Sequence, residues 1–214
     1  MTLHLAGNNY RLIIHKRKIK EFNQDNKMAA TLRFDPFNDR LARDLRNELS
    51  EALVADLDLL RLERIPQVAV AFRKRPLQED HRHYLEQRLT AYERVLEIIC
   101  ERWLVEPFHR ALVLWDEGLF FEVHEILEPP WYRAPPGPDK SALQGMIRAT
   151  GVYIFLEAGR RDSAASMAAK AISGLDHWQQ SSLPPFPDLP RLKAALAGLE
   201  PAPALATSLP REGK

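Results

Sequence analysis

Between Gly118 and Trp131 the chain reads G-L-F-F-E-V-H-E-I-L-E-P-P-W. Four groups able to move a proton or hold a cation, Glu122, His124, Glu125 and Glu128, stand there among large hydrophobes. Burying such groups is costly unless each finds a partner, so the cluster needs a reason. On a helix, which turns about 100° per residue, His124 and Glu128 are four apart and share a face. Glu125 and Glu128 adjoin, and Glu122 falls towards the other side. Val123, Ile126 and Leu127, with Leu119 and Phe120, form the opposing apolar stripe, which leaves His124 at the boundary between core and cleft.

Three functions fit this pattern. In a structural role, which the sequence favours, His124 and the glutamates bond to backbone ends, to Trp131 or Tyr132, and to Arg133 or Arg148, as buried polar groups usually do. In an enzyme, His124, Glu125 and Glu128 are the candidate catalytic groups of a general acid/base or divalent-metal site of hydrolase type, joined by Gln144. A metal held by His124 and Glu128 needs further ligands from another helix. No H-E-x-x-H follows and no second histidine is near in sequence, which counts against a hydrolytic zinc site. In a binding module, the acidic face would receive a peptide or partner helix. Glu122, Trp131, Gln144 and Arg148 complete the candidate polar cluster. A structural network should leave His124 inaccessible with every polar atom paired, whereas an enzyme should converge His124 and two carboxylates on a concavity.

The elements that position these residues read as helices. Leu41, Leu45, Leu49, Leu53 and Leu57 recur every four residues, placing a stripe on a helix to about Leu60, after a turn where Asp35 or Asn38 can cap. A second long helix starts at Gln78, with Leu85, Leu89, Tyr92, Leu96, Ile99 and Trp103 along its buried seam. His81 and His83 lie in its first turns on different faces and are expected at the surface. Between the two, Ile65–Phe72 reads as a short strand or extended connector. Pro107 opens the next helix and Gly118 ends it, and the acidic helix then runs to Glu128, where Pro129-Pro130 stops it. Ser141 is a candidate cap for an apolar helix ending near Gly159. Asp162 or Ser163 starts an alanine-rich helix through Leu175. The hairpins around Gly118 and Gly159 are similar to each other and, loosely, to the tetratricopeptide-type helical hairpin. The predicted fold is all-α, a bundle of antiparallel helix hairpins with an N-terminal helical extension.

The organisation expected is a polar, basic tail over 1–27, with Met28 as an alternative start, then an extension over 28–105 packed on the bundle. A helical domain over 106–178 and a proline-rich segment over 179–214 follow. The residues from Pro201 on, and a helix over Leu192–Leu199, complete it, the former read as disordered. A net charge of +1 argues against an electrostatic grip on nucleic acid or anionic membrane. No apolar run reaches the roughly 18 residues of a membrane helix. The lone Cys100 excludes an internal disulfide. A cytoplasmic location is expected, with a protein partner or homo-oligomer and a divalent metal left open.

Phe121-Glu122, His124-Glu125, Leu127-Glu128 and Trp131, followed by Leu143-Gln144-Gly145 before a long apolar helix and the small-residue helix Ala164–Leu175, resemble domain of unknown function family 309. The resemblance covers about 108–175. It implies a small helical bundle and no particular activity.

Overall fold

In the computed structural model, residues 34–209 are described. They contain eight α-helices: α1 (Arg40–Leu59), α2 (Arg64–Arg73), α3 (Glu79–Arg102), α4 (Pro107–Asp116), α5 (Phe120–Arg133), α6 (Pro138–Glu157), α7 (Arg161–Leu175) and α8 (Leu189–Gly198). Among the described residues there is no strand, so the fold is all-α as predicted, and no helix is long and apolar enough to cross a membrane. The 1–27 tail and Met28 lie outside the described residues.

The leucine stripe forms α1, with Leu45, Leu49, Leu53 and Leu57 fully buried, and packs against α2, α3 and α5. Its N-cap is Asp39 rather than Asp35 or Asn38: Asp39 Oδ1 accepts from the amides of Leu41 and Ala42. Asp35 instead closes the preceding turn, accepting from the Phe37 amide.

Residues 65–72 are helical, which corrects the strand or connector reading. Asp56, buried in α1, accepts from the amides of Glu63, Arg64 and Ile65 at 2.8–3.0 Å and so supplies an N-terminal cap from seven to nine residues away. Pro66 falls in the first turn, where its missing N–H leaves no bond unmade. Ile65, Ala69 and Phe72 are the buried face.

α3 follows the predicted seam except at its end. Trp103 takes a left-handed C-cap conformation, φ 53°, and is 54% exposed, while Leu104 turns into the core. His81 departs from the expected surface position and is 1% exposed. Its Nδ1 accepts from the Gln78 amide at 3.3 Å, which fixes the proton on Nε2. That N–H donates to Asp39 Oδ2 at 2.8 Å, joining the caps of α1 and α3. His83 is exposed.

The two hairpins α4–α5 and α6–α7 turn at Gly118 and Gly159, with φ 69° and 72°, a conformation that side chains other than glycine resist. α6 begins at Pro138, a turn before Ser141, because proline at the first helical position is already set to helical φ. Gly145 of α6 lies against Gly174 of α7 so closely that a Cβ there would sit 2.5 Å from the Leu175 nitrogen. The glycine of the Leu143-Gln144-Gly145 block is thus what lets the two backbones touch, and the buried Ala164, Ala168 and Ala171 extend the contact.

Residues 202–209 are not the free end the composition indicated. Trp115 Nε1 donates to Pro203 O at 2.9 Å, and Asp116 accepts from the amides of Leu205 and Ala206. Leu205 is 1% exposed. These anchors are polar and distant in sequence, so they leave no period to read.

Candidate functional site

The site rests on α5, which touches α1, α4 and α6 directly. Its prolines do not end it: the helix continues through Pro129 and Pro130 to Arg133, correcting the predicted stop at Glu128. Proline removes a donor without removing the acceptor behind it. Ile126 O consequently faces proline at both the third and the fourth following residue, and Glu125 O faces proline at the fourth. The Ala134 amide bonds to Pro130 O and closes the last turn.

The two edges of α5 differ. Glu122 is fully buried, and the Tyr92 hydroxyl donates to its Oε1 at 2.6 Å. Arg88 of α3, 17% exposed, stands 3.7 Å away and over the ring of Tyr84. Burial opposes the charge on Arg88, but Glu122, with Tyr84 and Tyr92, outweighs it and holds the guanidinium above its ordinary range. Burial and the Glu122 carboxylate both push the Tyr92 hydroxyl well up, and Tyr84 likewise. Glu122 Oε2 has no hydrogen-bond partner among the described residues. These partners from α3 were not foreseen. Glu122 was expected to reach Trp131, Tyr132, Arg133 or Arg148, and none of them bonds to it.

On the outer edge, His124 is 33% and Glu125 26% exposed. His124 Nδ1 lies 3.2 Å from Glu125 Oε1, and because a carboxylate only accepts, the ring carries its proton on Nδ1. One ligand atom each from His124, Glu125 and Glu128 lie within 4.8 Å of one another. Phe121, one turn earlier, is stacked alongside His124 and carries Arg46 of α1 3.8 Å over its ring. Burial lowers the pKa of Arg46, opposed by the charges of Tyr84, Glu122 and Glu125.

The remaining predicted residues sit along the α5–α6 seam. Phe120 stacks on Tyr153 with centroids 4.9 Å apart, and Lys140 lies over Trp131 at 5.2 Å. Those contacts set the antiparallel register: as position 120 meets 153 and 131 meets 140, position 124 lies level with about 147–149 and position 128 with about 143–145. Gln144 and Arg148 are half-buried. Trp131 Nε1 is buried without an acceptor. Tyr132 is 66% exposed and its ring lies 4.8 Å from that of Trp131, and Arg133 is exposed.

No curated protein and no solved structure matches the chain. Residues 108–167, from α4 into α7 and carrying the whole of α5, match the family model described as Domain of unknown function (DUF309), the family that their two sequence blocks resemble.

Proposed function

We propose that this helical bundle binds a divalent metal ion on the outer edge of α5 through His124, Glu125 and Glu128, while the Glu122 edge is structural. The convergence of three ligand atoms within 4.8 Å carries the reading. Two further features support it. The half-exposed His124 is open to solvent, which an inaccessible structural histidine would not be. Glu128 makes no hydrogen bond or ion pair to any described residue, so its carboxylate is available.

One imidazole with two carboxylates suits zinc, manganese or iron(II) better than calcium or magnesium. Arg46, held over Phe121 within electrostatic range of Glu125, competes with the ion for that carboxylate. Three protein ligands leave at least one coordination position open. An open position is compatible with metal-assisted acid/base chemistry, the alternative function, but nothing in the cluster by itself specifies a reaction.

The test is calorimetric titration of zinc and manganese into metal-stripped protein, with a thermal melt of the same samples. One ion per chain is expected, stabilising by about 2.7 kcal/mol at a hundredfold excess over Kd. His124→Ala with Glu128→Ala should abolish both signals. Parent protein that takes up neither ion, or a double variant that still binds one, overturns the reading.

A further inference from the structure

We infer that the end of the molecule where α1 and α3 finish is a docking site for a basic amphipathic helix of a partner protein. The site is the open groove between Leu60, Leu62, Leu96 and Cys100, with glutamates of α3 along its rim.

The two helices run parallel. The bond from His81 to Asp39 joins their N-terminal caps, and at the other end Leu60 and Leu62, just past α1, meet Leu96 and Cys100 of α3. Three features there go against what a free surface favours. Leu59, Leu62 and Trp103 are each half-exposed, and Trp103 follows Cys100 by three residues, the spacing of neighbours on one helix face. Leu60 and Trp103, the caps of α1 and α3, are two of the three non-glycine residues in left-handed backbone among the described residues. That conformation is costly for a bulky side chain. Glu93, Glu97 and Glu101 recur every four residues on α3, where like charges repel, and lead towards a C-terminus whose dipole is already negative. All three are exposed and none makes a hydrogen bond or ion pair to a described residue. Arg61, the cation of the groove, is taken by Glu63. Departures from local rules that gather in one place point to function.

Together they describe the surface that would fit. A groove of about 270 Å³ falls below the roughly 300–1,000 Å³ of a small-molecule pocket and admits side chains instead. Its apolar floor suits leucine-like anchors at helical spacing, and the unpaired carboxylate row suits lysines or arginines on the flank of the same helix. Trp103 supplies an aromatic anchor of the kind that dominates interface energies, and a cation beside its ring adds to the attraction. A second copy of this chain would set glutamates against glutamates. An anionic membrane would meet the same repulsion.

Cys100 is the chain's one thiol and lines the groove, so its rate of alkylation by iodoacetamide reports occupancy. The experiment titrates full-length protein with a synthetic leucine–lysine peptide patterned as an amphipathic helix, against a leucine–glutamate peptide of the same pattern. The lysine peptide should protect Cys100 saturably, and the glutamate peptide should not. Glu93→Gln with Glu97→Gln should weaken that protection roughly tenfold and flatten its salt dependence. Glu48→Gln with Glu51→Gln, outside the groove, should leave it unchanged. Trp103→Gly, which the left-handed backbone accepts, should weaken it roughly tenfold or more. Equal protection by the two peptides overturns the inference, as does binding indifferent to Trp103→Gly or to the Glu93 and Glu97 pair. Self-association that shields Cys100 without peptide would make a second copy the occupant and overturn it too. Protection by phosphatidylglycerol vesicles equal to that by the lysine peptide would do the same in favour of a membrane.

Discussion

Glu122 and Glu125 are one helical turn apart on the same element, yet they live under different rules. The first is sealed between α5 and α3, bonded to a tyrosine and shadowed by an arginine that shares its low-dielectric surroundings. The second stands beside a half-open histidine, and its neighbour Glu128 has no partner among the described residues. A carboxylate facing a helix already packed must be neutralised by that helix or destabilise the fold. A carboxylate on a half-exposed edge, with no partner among the described residues, is free to take a ligand. One acidic helix thus carries a structural edge and a binding edge, and the sequence motif alone treats them as one cluster.

The comparison breaks most visibly at Glu122. Glu122→Ala leaves the Arg88 charge and the Tyr92 hydroxyl buried without their acceptor, and should cost roughly 3–5 kcal/mol by chemical denaturation. Glu122→Gln, which keeps an acceptor for Tyr92 but removes the charge beside Arg88, should cost less. Equal losses in the two variants would mean that packing, and not charge, holds this edge.

Gly145→Ala should come next, because the added methyl meets the α7 backbone. About 1–3 kcal/mol is expected by chemical denaturation. Metal affinity should be retained, since all three ligands stand on α5; a lost affinity would couple the binding edge to the α6–α7 contact.

His124→Ala belongs at the small end: on a half-exposed position it should change the stability of metal-free protein by no more than about 0.5 kcal/mol. Its effect should be confined to the metal-dependent rise in melting temperature. A large loss without metal would assign His124 to the structural edge after all.

The gentlest effect concerns acid. Burial raises the Asp39 pKa, but the Leu41 and Ala42 amides and His81 outweigh that and leave it lowered. A carboxylate whose folded pKa is depressed stabilises above its unfolded value, near 3.9, and loses that contribution as pH falls through the folded value. Asp39→Asn, a good cap without the charge, should therefore be slightly less stable than the parent at neutral pH. The gap should close below about pH 4. A gap that widens in acid would contradict the assignment.

How much of this was legible depends on how far each signal travels along the chain. The stripes of α1, α3, α6 and α7 and the glycine turns were readable because period and punctuation are local. α2 was not, since V-A-V alternation mimics a strand and its cap, Asp56, belongs to the preceding helix. The run of α5 through two prolines was hidden because proline chemistry opposes a helix locally and only tertiary packing outweighs it. At the site, the spacing of His124, Glu125 and Glu128 gave their convergence directly. The fate of Glu122 could not be read, because Tyr92 lies 30 residues away on a face whose orientation only packing decides. His81 was misplaced for the same reason: its partner Asp39 is 42 residues distant.

The anchoring of residues 203–209 on α4 has a consequence for synthesis. The acceptor of the Trp115 indole N–H lies 88 residues downstream, and the amides that engage Asp116 lie 89 and 90 residues downstream. At roughly 5–20 residues per second, a ribosome delivers them about 4 to 18 seconds after α4. Every helix from α5 to α8 is made within that interval, so the hairpins assemble on an α4 whose outer end is still open to water. Trp115 emission, sensitive to that wetting, should report the moment of closure in a stalled-chain series. The shift is expected only in chains long enough to expose Leu205.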